Sequence, residues 1–468
     1  MSDGPSRNGV DDSHTRTVSL SEVPNGKEFE DYVAACYQLT GHYVEKNVTR
    51  RIFDAEDDKK SETAYPILEL DAIVTIYNAG SMPITKLVEV KSGEWGCPDI
   101  FKIRGWMDYL DHFDVKEGVL ITANKRPKQQ AYEKVGRELD VRVCSMNNAE
   151  FNLKTFVEIM GYSIVVDNEK EDMVEKWRYA YWLERNMIQM MKTPLRADPR
   201  YKRKRSIDEY YATISYDSFF AETVLDKLLE LYAAFQKFPH ITAKAGNEMI
   251  GNSFEDECGT IPREVFGRSF YKCEYNDIQI STFVEHKARL SIMKSAVDYT
   301  LSEANGKKTG MDKDSEFSFD SLPENFRNAL TRLADQPYFH LYPAFWQWFL
   351  WVFGGFILLD YEKQEYESLS RFTGIPVDEI HRALAAYDVL FPIEAGSWLG
   401  RWSNYSNISQ MKMFSLPFSG VGVNTRINLY TRTQNFDDLE LSMDRTQGDL
   451  SKWNNLCIDV LCKDNYVA

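Results

Sequence analysis

The sequence predicts an α/β domain over about residues 25–160, with a mixed sheet flanked by helices, followed by a mainly α-helical region. Three observations point there. Helix and strand signals alternate at short intervals in the first third of the chain, as they do where helices cover a sheet. Beyond about residue 165, long helical stretches take over. The 468 residues, 43% hydrophobic and 13% aromatic, supply material for about three domains at roughly 150 residues each.

Asn25 opens the first helix, with Glu28 three residues on in a capping-box-like start. Phe29, Tyr32, Val33, Cys36 and Leu39 then recur on one helical face, and Gly41 ends the helix. Ile67–Tyr77 (ILELDAIVTIY) and Ile84–Lys91 (ITKLVEVK) read as strands with β-branched weight, joined through Asn78-Ala79-Gly80-Ser81 as a hairpin. Pro98 to Phe113 reads as a helix. Gly118 to Ala123 (GVLITA) is a short strand expected to be buried on both faces. Lys128 to Leu139 is a charged amphipathic helix and Val141 to Met146 a last strand. The expected order is α-β-β-α-β-α-β. Residues 1–24 are polar, lack an apolar signal core and read as a disordered tail.

The second domain, 161–335, is expected to be helical, with helices over Glu169–Met191 and Ser218–Phe238, a basic linker over 192–205 and a polar loop over 304–326. The third, 336–468, reads as a helical domain with an aromatic core and a helix-turn-helix-like unit. Within it, Leu341–Leu359 runs 19 residues without a charge, close to the roughly 20 that a bilayer span requires. Pro343, Gln347 and Gly354-Gly355 interrupt it and no Lys/Arg cluster marks an inside end, so a buried helix is expected instead. Trp346, Trp348 and Trp351 then belong to a core or an oligomer interface. Residues 364–391 read as helix, Thr373-Gly374 turn, helix. The second helix offers only His381 and Arg382 for reading bases, which favours a packing unit.

The net charge of −16 excludes a protein that coats polyanions generally; any nucleic-acid contact must be local. The seven cysteines are odd in number and show no C-x-x-C spacing, and the seven histidines are scattered. This argues against a disulfide framework or a thiolate zinc site and fits a reducing cytoplasm. With no G-x-G-x-x-G opening a helix and no G-x-S-x-G, nucleotide-driven, redox and serine-hydrolase chemistry lack support.

The chemistry concentrates in Asp71, Glu89 and Lys91. Side chains alternate along a strand, so Glu89 and Lys91 share a face, and a suitable register brings Asp71 beside them. Charges in such apolar strands are costly without a partner. Asp71, Glu89 and the Val90 carbonyl are hard oxygen donors of the kind Mg²⁺ takes, and Lys91 can orient or deprotonate water and stabilise phosphate charge. The competing reading is a solvated edge strand in which Lys86, Glu89 and Lys91 pair with Glu69 and Asp71.

Asp71 followed by Glu89-Val90-Lys91 resembles the D…E-x-K core of the PD-(D/E)XK nuclease superfamily, nearest its Mrr-like branch, over about residues 25–150. The resemblance implies a restriction-endonuclease-like fold and a Mg²⁺ site, with Mn²⁺ able to substitute. It also implies that the acid of Phe29-Glu30 reaches that site. Leu70 stands where the pattern often has Pro. The helix after E-x-K lacks the Gln of many members and offers Lys102 and Arg104 instead. The basic run Arg200-Tyr201-Lys202-Arg203-Lys204-Arg205 is either a further nucleic-acid contact or a solvated linker.

The sequence thus leads to a Mg²⁺-dependent endonuclease that cuts DNA. The resemblance implies a cytoplasmic defence or restriction-type effector, regulated by a C-terminal region that oligomerises or binds a protein partner, with no role in a membrane. RNA is the alternative substrate. An inert nuclease-like scaffold that assembles with a partner is the alternative of another class.

Overall fold

The structure is a computed structural model describing residues 26–53, 64–110, 115–146, 151–191, 275–306, 324–390, 398–402, 411–414 and 441–443. The terminal tail, the basic run and the expected helix over Ser218–Phe238 lie outside the described residues.

The N-terminal part is a mixed five-stranded sheet flanked by helices. Its elements are α1 (Gly26–Leu39), β1 (Tyr43–Phe53), β2 (Ala64–Ile76), β3 (Ile84–Lys91), α2 (Cys97–Tyr109), β4 (Val115–Thr122), α3 (Gln129–Glu138), β5 (Val141–Ser145), α4 (Leu153–Met160) and α5 (Asn168–Met191). The strands lie in sequence order, antiparallel from β1 to β3 and parallel from β3 to β5. The expected order omitted β1. That strand (YVEKNVTRRIF) carries charges at inward positions and lacks the apolar alternation that marks a half-buried strand. Lys46 is 1% exposed within it, made tolerable by Asp31 of α1, which also takes Arg185 Nη1 of α5 at 2.5 Å.

Residues 29–39 of α1 are buried on every side, between the sheet and α5. Helix α2 packs on β4 through Ile100, Ile103 and Met107. Gly118 of β4 permits the approach: a Cβ there would fall 2.5 Å from an Ile103 methyl and 2.6 Å from Met107 Sδ.

The described C-terminal part holds α6 (Tyr275–Ala304), α7 (Glu324–Ala334), α8 (Tyr342–Gln347), β6 (Phe356–Leu358), α9 (Glu362–Thr373), α10 (Ile380–Leu390), β7 (Trp398–Trp402), β8 (Met411–Met413) and β9 (Leu441–Met443). The helical expectation is met in part. The strands form an unanticipated antiparallel sheet in the order β6-β8-β7-β9. Short strands such as FIL and MKM carry too little periodicity to be read locally.

The apolar stretch 341–359 is buried but is not one helix. It runs as α8, then a π-helical turn over Trp348–Val352, then left-handed Gly354 and Gly355, then β6. Trp346, Trp348 and Trp351 are each 1% exposed. Trp348 meets Trp177 of α5 edge-on at 5.2 Å and stacks on Phe372 at 4.8 Å. No helix among the described residues is long and apolar enough to cross a membrane. In the helix-turn-helix-like unit, Leu369 and Phe372 of α9 and Ile380, Ala383, Leu384 and Tyr387 of α10 are buried.

Gln347 makes the join between the two parts. Its Nε2 donates to the Val44 carbonyl at 2.6 Å and its Oε1 accepts from Val44 N–H at 2.9 Å. A side-chain amide thus completes the free edge of β1, where unpaired backbone groups would otherwise be buried. Gln38 Nε2 of α1 donates to the same Oε1 at 2.5 Å and to Tyr181 Oη at 3.0 Å. Replacing Gln347 by leucine strands both Val44 groups, so Gln347→Leu is expected to lower unfolding stability by about 3 kcal/mol or more. Chemical denaturation measures it; a loss below about 1 kcal/mol would show that the amide is dispensable.

Candidate active site

The pairing of β2 with β3 runs from Ile76↔Ile84 to Ala72↔Val88. One more step in that register sets Asp71 across from Glu89. Residues directly opposite in an antiparallel pair share a face, with Cβ atoms about 5 Å apart. Here the ladder ends. Val90 N–H donates to Asp71 Oδ2 at 2.8 Å instead of to a backbone carbonyl. The Lys91 carbonyl accepts from Ala123 N–H beyond β4 at 2.9 Å. Strand alternation therefore turns the Val90 carbonyl toward the β2 side, next to Asp71.

The other flank of β2 is interrupted at the same level. Pairs run Lys46↔Ala72 and Val48↔Leu70, and Asn47 between them sits at φ 51°. That left-handed conformation costs most residues about 1 kcal/mol or more and is best tolerated by glycine, asparagine and aspartate. Asp71 thus lies between two breaks in the sheet's hydrogen bonding.

Charge gathers around it. Glu89 is 2% exposed, and its Oε1 accepts from Lys91 Nζ at 2.6 Å and Lys102 Nζ at 2.9 Å. Glu30 is 8% exposed and accepts from Lys27 Nζ at 2.9 Å. Burial, then the charge of Glu89, then that of Glu30 push the Asp71 carboxyl up to about 7, against the opposing Val90 N–H and Lys91. Burial disfavours the Lys91 ammonium, but its hydrogen bond to Glu89 and the nearby Asp71 and Asp99 outweigh this and hold it above its ordinary value. The resting Lys91 is therefore a cation, suited to neutralising charge rather than accepting a proton.

No group of three or more His, Cys, Asp and Glu side chains stands ready to enclose a metal among the described residues. The donor set is two carboxylates and a carbonyl, which fits a hard cation that keeps several waters, as Mg²⁺ does. Asp71 supplies the physical reason: a carboxyl pushed up to about 7 by burial and then by its acidic neighbours is relieved when a cation enters.

The structure brings together Asp71, Glu89, Val90, Lys91 and Lys102, with Glu30 in electrostatic reach. It separates Arg104, which pairs with Asp108 at 2.6 Å and Asp140 at 3.1 Å on the exposed flank of α2. Arg200, Lys202, Arg203, Lys204 and Arg205 lie outside the described residues.

Two features went unread in the sequence. Asn47 gives no periodic signal. The loop after β4 carries Lys125, Arg126 and Lys128, a short cationic run that could have been noticed. Asn124 Nδ2 donates to the Ser92 carbonyl at 3.3 Å, and Arg126 Nε to the Trp95 carbonyl at 2.9 Å. This loop is thereby tied to the one that follows Lys91.

No protein-family model, curated protein or solved structure matches the chain.

The raised Asp71 carboxyl has a consequence for stability. The folded chain holds a proton there that the unfolded chain has released between about pH 4 and 7, so stability falls as pH rises through that window. Asp71→Asn removes the effect. Without divalent cations, its stability relative to wild type is expected to be more favourable at pH 8 than at pH 5, by on the order of 1–2 kcal/mol. Denaturant titrations at the two pH values check this; the same difference at both would contradict the acidic cluster.

Proposed function

We propose that this chain is a Mg²⁺-dependent phosphodiesterase with a restriction-endonuclease-like N-terminal domain, and that it cuts DNA. One observation carries the reading: Asp71, Glu89 and Lys91 meet where the β2–β3 ladder ends, and strand alternation puts the Val90 carbonyl on the β2 side. Asp71, Glu89 and the Val90 carbonyl would hold the ion, and Mn²⁺ can substitute. Once bound, it supplies a more acidic water and a Lewis acid for the phosphate.

Lys91, kept protonated, donates to a phosphate oxygen and offsets charge as water attacks phosphorus and the bond from phosphorus to the departing sugar oxygen breaks. Lys102 shares Glu89 Oε1 with Lys91, and an entering phosphate gives it a second acceptor. Glu30 helps to hold water on the α1 side. Lys125 and Lys128 are exposed on the adjoining loop and attract the polyanion backbone. The metal and its ligands address phosphate and not sugar, so RNA is the alternative substrate. Defence against foreign DNA, with the C-terminal part as regulator or partner surface, is the setting that the resemblance suggests.

One observation favours a second reading, an inert scaffold. Glu89 already carries two ammonium partners and is buried, an arrangement that is stable without any ion. Incubation of plasmid and single-stranded DNA with Mg²⁺ or Mn²⁺ separates the two. Cleavage that EDTA stops and Lys91→Ala abolishes, with an unchanged circular dichroism spectrum, is the expected result. Full cleavage by Lys91→Ala would remove the assigned role; a wild type that never cuts and gains no thermal stability from either ion leaves the scaffold.

A further inference from the structure

The outward face of α2 is aromatic. At 100° per residue, Phe101, Gly105, Tyr109 and Lys102 fall within about 100° of one another, opposite the buried Ile100, Ile103, Met107 and Leu110. Phe101 is 58% exposed and Tyr109 46% exposed. The other exposed large apolar side chains among the described residues, Ile84, Val165 and Val377, are aliphatic and lie on other elements.

Gly105 stands between the two rings, one turn from each. A Cβ built on it meets nothing within 4 Å, so no packing inside the described chain calls for glycine. Glycine in a helix interior is nevertheless destabilising. What it provides here is close approach from outside. Lys102 joins this face to the site: its Nζ lies 2.9 Å from Glu89 Oε1 and 4.0 Å from the centre of the Trp106 ring.

We propose that this face is a stacking platform for an unpaired DNA strand. Bases lie on Phe101 and Tyr109, and the backbone passes over Gly105 and Lys102 toward Asp71 and Glu89. The substrate class rests on the phosphodiesterase reading above. The chemistry selects the occupant. Flat aromatic rings two helical turns apart suit π-faces, which every base has, and tolerate any sequence. The Lys102 ammonium on this face suits phosphates, and Lys125 and Lys128 stand exposed on the loop tied to the segment that leads into α2. A paired strand keeps its bases stacked on one another and cannot lay them on side chains.

Fluorescence anisotropy of the full chain in EDTA, with a labelled oligothymidylate and a labelled duplex, tests the platform without cleavage. Phe101→Ala and Tyr109→Ala are each expected to weaken single-strand binding about fivefold or more, and to leave duplex binding and Tm unchanged. Gly105→Ala should raise Tm by about 1–2 °C while weakening single-strand binding, opposite effects that a merely structural residue would not give. Unchanged single-strand affinity in all three variants, equal losses for duplex, or a wild type that binds no single strand would each overturn the platform. If cleavage persists beside such a result, the phosphodiesterase reading stands without it. If the platform binds as expected but no divalent ion supports cleavage, that reading falls and the platform remains.

Discussion

The register between β2 and β3 is the constraint on which the site depends. A slip of one residue would turn Asp71 to the opposite face from Glu89 and Lys91, because side chains alternate with a period of two. Several contacts forbid the slip. Ile73 and Leu87 meet across the pair and both are fully buried. Thr75 and Thr85 place their hydroxyls 3.3 Å apart inside the sheet. The turn beyond them is held by Ser81 N–H on the Asn78 carbonyl and by left-handed Gly80. An apolar, well-pinned stretch of hairpin thus fixes a charged end that would not choose this pairing for itself, since like charges directly opposite are unfavourable. At the ladder's end Asn47 and Val90 both leave regular pairing.

The C-terminal part is joined to that sheet through polar groups as much as apolar ones. β1 is an edge strand, and Gln347 closes its edge as a further strand would. On α6, Asp298 accepts from Tyr77 Oη at 2.8 Å and from Lys294 Nζ at 2.6 Å. Lys287 of α6 pairs with Glu184 of α5 at 2.8 Å. Each of these charges is nearly excluded from water. Breaking one member of such a pair leaves the other stranded, so the join tolerates little sliding and is specific in orientation. The aromatic segment packs into the same join, which accounts for its lack of charge without a bilayer.

Much of this was legible locally, and what was not shares one physical origin. The β2–β3 hairpin announces itself because its own alternation decides which face is buried. The helix at 26–39 does the same, although its polar Asp31 and Gln38 turned out to be as buried as its apolar stripe. β1 could not be read because Lys46 is made internal by Asp31 and Arg185, groups supplied by other elements. In the sequence Gln347 is only an interruption of an apolar run; its role needs the edge of β1. Asp71, Glu89 and Lys91 were found by residue type and spacing, and the register brings them together. Arg104 is held away from the site by Asp108 and Asp140, partners that spacing alone does not favour over Glu89.

The site's balance of charge carries the last step. Lys27, Lys91 and Lys102 face Glu30 and Glu89 in direct ion pairs, whereas Asp71 rests on a backbone N–H. Two carboxylates are thus satisfied by ammonium groups on flexible stems, and the third is the one whose proton is held toward neutral pH. Flexible cations can move to a phosphate; a carboxyl poised near neutrality can exchange its proton for a cation at little cost. Ion pairing accounts for Glu89, the most buried of the three at 2% exposed, which holds two ammonium partners. Asp71 is only half-buried and is the acid least compensated; it lies where the ladder ends, and the cations gather around its neighbours. That distribution is what a polyanion substrate and a divalent ion, entering together, would complete.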